Sequence, residues 1–113
     1  MLKLVTAIVK PHVFDEVKEA MRKAGVTGIT VTEVKGFGRQ GGKTESFRGS
    51  EYTVDLIPKI KLETITEEER VPAIIEAVTG AARTGKIGDG KVWVLGIDEL
   101  LRVRTGEMGA DAI

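Results

Sequence analysis

The sequence predicts an α+β domain in which strands and helices follow in the order β-α-β-β-α-β, with an antiparallel sheet and two helices on one of its faces. Three observations predict it. Short runs rich in β-branched residues alternate with two segments whose apolar residues recur at three- and four-residue steps. The 113 residues, 42% of them apolar, suffice for one domain with one core. Finally, the second and third strands are separated by a glycine-rich polar stretch, Gly36 to Tyr52. That is several times the usual two to five residues of a hairpin connection.

Leu2 to Val9 is an apolar, strand-forming run that Lys10-Pro11 ends, because proline has no N–H to continue a ladder. Phe14, Val17, Ala20, Met21 and Ala24 then mark one face of an amphipathic helix, and Gly25 is its natural stop. Ile29 to Val34 is the second strand. A third runs from about Val54 to Ile65. In its later half Ile60, Leu62 and Thr64 face one way, and Lys59, Lys61, Glu63 and Ile65 the other. Thr66 and Glu69 have the spacing of a capping box, and Val71, Ile74, Ile75, Val78, Ala81 and Ala82 form the apolar stripe of the second helix. Pro72 fits if that helix starts near Glu69, where its missing N–H falls among the unpaired first four. Val92 to Ile97 is the fourth strand. Leu100 to Arg104 reads as a short extended segment, and Thr105 to Ile113, with two glycines, as a mobile tail. The whole is the split βαβ, ferredoxin-like arrangement.

Bulk properties exclude several classes of function. Seventeen basic and 17 acidic residues leave a formal charge of zero, which argues against a nucleic-acid binder driven by positive charge. There is no cysteine and one histidine, His12, so thiolate metal sites and a His-dependent triad are not expected. No stretch approaches the ~20 apolar residues of a membrane span, and the N-terminus lacks a signal-type apolar region. The expectation is a cytoplasmic protein that neither inserts into membranes nor catalyses.

Three features carry chemistry. The first is the long loop, with Gly36, Gly38, Gly41, Gly42 and Gly49 among polar residues. Such a segment cannot bury enough apolar surface to fix itself. It is either an idle hairpin tip or a contact element, and Phe47 and Tyr52 favour contact. The second is Thr84-Gly85-Lys86-Ile87-Gly88-Asp89-Gly90-Lys91. Gly85 to Lys91 matches most of a P-loop, but Val92 replaces the required Ser or Thr, and the segment joins a helix to a strand. It is a plain turn or a phosphate cradle, since glycines let backbone N–H groups crowd an anion. The third is Arg102-Val103-Arg104. On an extended chain both arginines share a face, as a solvated edge or as a grip on an anion. Taken together, Arg39, Lys59, Lys86, Lys91, Arg102 and Arg104 are candidates to converge, within one chain or across a neighbour, on a polyanionic small ligand such as a nucleotide.

In these segments the chain resembles the PII family of nitrogen signal-transduction proteins, nearly end to end. The resemblance rests on Val31-Thr32-Glu33-Val34-Lys35-Gly36-Phe37-Gly38-Arg39-Gln40, on Arg48-Gly49-Ser50-Glu51-Tyr52, on the Thr84 to Lys91 segment, and on Arg102-Val103-Arg104-Thr105-Gly106-Glu107, in that order.

The resemblance implies a compact homotrimer with nucleotide sites between subunits, where ATP and ADP compete. With ATP and Mg2+, 2-oxoglutarate binds at the base of the long loop (the T-loop, about 37–54), which changes shape and alters partner binding. By position, Gly88, Asp89, Gly90 and Lys91 of a glycine-rich B-loop (about 83–91) cradle phosphates. Gly38 and Arg39 lie beside them, and Arg102 and Arg104 of the C-terminal segment (about 102–113) reach over from a neighbour. Thr30, Glu63 and Ile65 hold the adenine. Gln40 is the metal ligand, a carbonyl-type oxygen suited to a hard cation. Lys59 pairs with a 2-oxoglutarate carboxylate, with Gly41 and Gly88 as further contacts of that ligand. Tyr52 matches a tyrosine that takes a nucleotidyl group, and Ser50 a serine that is phosphorylated. The implied partners are an ammonium channel, a nucleotidyltransferase or kinase acting on the loop, and enzymes or regulators of nitrogen assimilation. Two departures stand out: Gly41-Gly42-Lys43 replaces the more usual Lys-Gly-His, and Phe47 stands where many members have a second tyrosine. The alternatives are a PII-like trimeric sensor of a different small molecule, or a small ATPase on the same fold.

Overall fold

The computed structural model describes residues 1–37, 43–47, 50–54 and 56–113, the two middle stretches by their backbone alone. Among these residues six strands and two α-helices follow in the order β1 (Leu2–Val9), α1 (Phe14–Lys23), β2 (Thr30–Gly36), β3 (Lys43–Phe47), β4 (Ser50–Val54), β5 (Ile57–Glu67), α2 (Val71–Ala82) and β6 (Lys91–Ile97). Four of the strands form one antiparallel sheet in the order β2-β5-β1-β6. This is the ferredoxin-like α+β arrangement that the sequence predicts.

Alternation along the strands decides what the sheet buries. Val5, Ala7 and Val9 of β1 point to one face. Register places Val5 beside Thr64 and Val94, and Ala7 beside Leu62 and Val92. On that face lie both helices. Val13, Val17, Met21, Ile74, Val78 and Ala82 close with Val5, Ala7, Val9 and Leu62 into a single core. Val17 and Met21 are one turn apart, as are Ile74 and Val78, so each helix lays one stripe on the sheet.

The opposite face carries Leu4, Thr6 and Ile8 of β1, Lys59, Lys61 and Glu63 of β5, and Lys91, Trp93 and Leu95 of β6. Among the described residues no helix packs there, and Trp93 is 42% and Leu95 55% exposed.

Helix ends follow local chemistry. Gly25 adopts a φ of 98°, the left-handed turn that ends α1 at little cost to glycine. Before α2 a 3-10 turn spans Glu68–Arg70, and Pro72 sits in the first turn of the helix, where its missing N–H costs nothing. The expected capping box does not form. Thr66 is a buried residue of β5, and no side chain caps either turn.

Three other expectations are corrected. The third strand was expected from about Val54, but β5 begins at Ile57, and Val54 ends a separate strand, β4. The segment expected as one long glycine-rich loop contains two strands: β3 and β4 pair antiparallel, Lys43 opposite Val54 and Phe47 opposite Ser50, separate from the main sheet. Thr44, Phe47, Tyr52, Thr53 and Val54 supply the β-propensity that an emphasis on glycine obscured. At the C-terminal end, the segment expected to be extended turns back. Leu101 bridges Met108, the Arg102 N–H donates to the Glu107 carbonyl at 2.9 Å, and Gly106 takes a φ of 74°. Gly109–Ala112 then forms a 3-10 turn. The two glycines of this tail make turns and not slack.

Candidate functional site

Strand register builds the site. Ile8 pairs with Lys61 on one side and with Lys91 on the other, and Val9 pairs with Ile60. The end of β1 therefore lies between Lys59 of β5 and the glycine-rich turn that enters β6. Gly90 takes a φ of 108° directly against β1, and a Cβ there would stand 1.7 Å from the Ile8 carbonyl oxygen. Gly88 has a φ of 99° and Gly85 of 85°. These conformations fit glycine, which has no Cβ to clash in the left-handed region.

Above this junction is a cavity of about 730 Å³ lined by Ile8, Gly36, Phe37, Ile57, Lys59, Ile87, Gly88, Gly90, Lys91 and Trp93. It sits where β2 leaves and β5 enters the sheet, at the root of the long loop. Lys59 donates to the Gly88 carbonyl at 2.6 Å. Burial, and then the nearby Lys10 ammonium, lower the Lys59 pKa below the ordinary lysine value, with Asp89 partly opposing. A partly desolvated ammonium beside a glycine-rich turn suits a carboxylate or phosphate.

Asp89 does not line this cavity. Its carboxylate accepts from the Thr84 N–H at 2.7 Å, the Gly85 N–H at 2.9 Å, the Thr84 hydroxyl, and the Lys10 ammonium at 3.2 Å. The Thr84 hydroxyl contributes most, and together these donors hold the carboxyl far below the usual carboxylate range.

A second cavity, of about 640 Å³, lies farther along the same sheet and brings together Thr30, Glu63 and Ile65 with Leu4, Leu100, Ala112 and Ile113. Thr30 and Glu63 are cross-strand partners. Glu63 accepts from the Thr6 hydroxyl at 3.1 Å and pairs with Lys61 at 3.6 Å.

The sequence-predicted residues thus divide. Lys59, Gly88, Gly90 and Lys91 share the first cavity, and Thr30, Glu63 and Ile65 share the second. Arg102 lines neither. Its guanidinium donates to the Glu107 carboxylate at 3.0 Å and the Ile113 carbonyl at 2.7 Å. The chain turns just after Arg102, so Arg102 and Arg104 do not share an extended face, and Arg104 and Lys86 are exposed outside both cavities. Gly38, Arg39, Gln40 and Gly41 lie outside the described residues, as do the side chains of Ser50 and Tyr52. Sequence reasoning missed Lys10, Ile8 and Trp93, and it named Thr84 only as the start of the glycine-rich segment. The register of β1 against β5 and β6 reveals Ile8 and Trp93, and the hydrogen bonds of Asp89 reveal Lys10 and Thr84.

Fold and site together define a small α+β domain with a lysine-lined cavity at the root of its long loop. A family model described as nitrogen regulatory protein P-II matches residues 2–107. Proteins called nitrogen regulatory protein P-II from Rhizobium meliloti (strain 1021) and Azospirillum brasilense are each 55% identical over 112 residues, and one from Rhodobacter capsulatus is 56% identical. Each alignment covers 99% of this chain and 100% of the relative. The chain belongs to the P-II family, and is a regulator in nitrogen signal transduction.

Proposed function

We propose that this chain is an integrating sensor of nitrogen, carbon and energy status. It binds ATP or ADP and, with Mg-ATP, 2-oxoglutarate, and the bound ligand sets the shape of the long loop that partners read. The observation that carries this reading is the first cavity. Lys59, the Gly88–Gly90 turn and Lys91 meet there at the loop's root, in a chain whose net charge is zero.

The chemistry fits the ligands. The glycine turn and Lys91 offer N–H groups and charge to phosphates, and Lys59 offers a desolvated ammonium to a carboxylate. In this reading Gln40 would hold magnesium through its amide oxygen, and the ion would supply charge neutralisation to the phosphates. Thr30, Glu63 and Ile65 take the base.

The reading includes a homotrimer, in which a neighbour's Arg102 and Arg104 complete each nucleotide site. The uncovered sheet face with Trp93 and Leu95 supports it, as does the placement of base-side and phosphate-side residues around separate cavities. Signalling follows from thermodynamics, since each ligand shifts the loop only by its differential affinity for the loop's states. A two-stranded hairpin apart from the main sheet is marginally stable, so contacts at its root suffice to bias it. The partners in this reading are an ammonium channel, a nucleotidyltransferase or kinase acting on Tyr52 or Ser50, and enzymes or regulators of nitrogen assimilation, all in the cytoplasm.

The test is calorimetric titration of 2-oxoglutarate with Mg-ATP, with Mg-ADP and with neither. Tight binding only with Mg-ATP is expected; equal affinity in all three overturns the coupling.

A further inference from the structure

We propose that Thr84 and Lys10 are positioning residues for the phosphate cradle, acting through Asp89 and not by touching the ligand. The inference rests on the reading of the first cavity as a phosphate site, and it adds two residues that this reading does not name.

Asp89 lies between Gly88 and Gly90, both of which line the cavity, yet Asp89 does not. Both of its oxygens are occupied. Oδ2 accepts the N–H groups of Thr84 and Gly85, and Oδ1 accepts the Thr84 hydroxyl and the Lys10 ammonium. The Thr84 hydroxyl also accepts the Lys86 N–H at 3.2 Å. One threonine therefore ties the exit of α2 to the middle of the turn at three points. Lys10 ties the same carboxylate to the end of β1, with the two side chains only 14% and 22% exposed.

Two consequences follow. First, the clasp fixes the direction of the peptide groups around Gly88 and Gly90. Glycine alone leaves those free to rotate, and an anion site made of backbone N–H groups works only if they converge. Second, it solves an electrostatic problem. A carboxylate in the middle of a phosphate cradle repels the ligand, and Lys10 neutralises it while the Thr84 donors hold it on the far side of the turn. Removing the Thr84 hydroxyl loosens the cradle; removing the Lys10 charge leaves Asp89 uncompensated beside it. The second defect grows with the charge of the ligand.

The experiment is calorimetric titration of AMP, ADP and ATP into the whole protein and its Thr84→Val, Thr84→Ser and Lys10→Met variants. Amide hydrogen exchange over residues 85–91 is measured on the ligand-free chains, with melting temperatures as a check on folding. Thr84→Val is expected to weaken ATP and ADP by about tenfold or more, the scale of a lost hydrogen bond to a charged group. It is also expected to speed exchange in the turn, while Thr84→Ser restores both. Lys10→Met is expected to weaken ATP more than ADP and ADP more than AMP. Thr84→Val binding ATP as the wild type does, with unchanged exchange, overturns the inference alone, as does a Lys10→Met loss equal for all three nucleotides. A wild-type chain that binds none of them overturns the functional reading and the inference with it.

Discussion

The Nζ of Lys59 lies 2.6 Å from the carbonyl oxygen of Gly88, joining the strand that leaves the long loop to the glycine turn that enters the last strand. A neutral carbonyl satisfies one of the three ammonium donors and none of its charge. Among the described residues no carboxylate forms an ion pair with Lys59, and Asp89 offsets its charge only from a distance, so the held ammonium suits a carboxylate ligand.

A proton linkage follows. Burial and Lys10 lower the Lys59 pKa, so its charged form is lost at a lower pH than that of an ordinary lysine. A bound carboxylate favours the charged form and raises that pKa again. Binding of 2-oxoglutarate should therefore take up a proton in alkaline solution, and its affinity should fall as pH rises through the lowered pKa. Calorimetry in buffers of different ionisation enthalpy measures the uptake. Lys59→Met should weaken 2-oxoglutarate about ten- to a hundredfold and abolish the proton uptake.

Gly90→Ala tests the close approach of the turn to β1. The Ile8 carbonyl oxygen stands 1.7 Å from where the new Cβ would lie, at a φ of 108°. Backbone strain of this kind costs ~1–3 kcal/mol before any clash is counted. Both neighbours at the clash are backbone atoms of the central strand, so neither yields easily. Thermal unfolding should show a loss at or above the top of that range, whereas Gly80→Ala, in α2 with open space around its Cα, should be neutral or stabilising.

The acid response of the turn has a definite sign. The folded-state pKa of Asp89 is depressed, so its stabilisation is fully present above the ordinary carboxylate range and is lost as pH falls through that range toward the lower folded value. The sole tryptophan, Trp93, lines the same cavity, so its emission reports on the turn. Its emission should shift on acidification, and Asp89→Asn should show the acid-form spectrum already at neutral pH.

Much of this was legible in the sequence because it depends on local periodicity. Val17 and Met21, or Ile74 and Val78, announce buried helical stripes, and Leu62 with Thr64 announces the buried face of β5. The glycines of the Thr84 to Lys91 segment announced a special turn. What stayed hidden depends on contacts distant in sequence. Lys10 read only as the residue before a strand-ending proline, and its bond to Asp89 spans 79 positions. The fold-back of Arg102 onto Glu107 was hidden for a different reason. An alternating Arg-Val-Arg looks extended, and only Gly106 in a left-handed conformation shows that the chain reverses. The hairpin of β3 and β4 was masked by its glycine-rich surroundings.

Self-association is the last prediction, and it follows from the face of the sheet that no helix covers among the described residues. Leu95 is 55% exposed there, on the edge strand β6, with Trp93 two residues away on the same face. The core lies on the other side, where Leu62 is fully buried. Substitutions on the two faces should therefore separate assembly from folding. Leu95→Asp removes an apolar contact of about 1.5–3 kcal/mol from each copy and sets a charge in its place. Because symmetry repeats the change in every interface, dissociation should be complete at micromolar concentration by sedimentation velocity. Leu62→Ala should instead cost about 2–5 kcal/mol of stability, as buried leucine truncations do, and leave the assembled state intact wherever the chain is folded. A wild-type chain that sediments as a monomer, or a Leu95→Asp variant that sediments as the wild type does, overturns the assignment of this face to assembly.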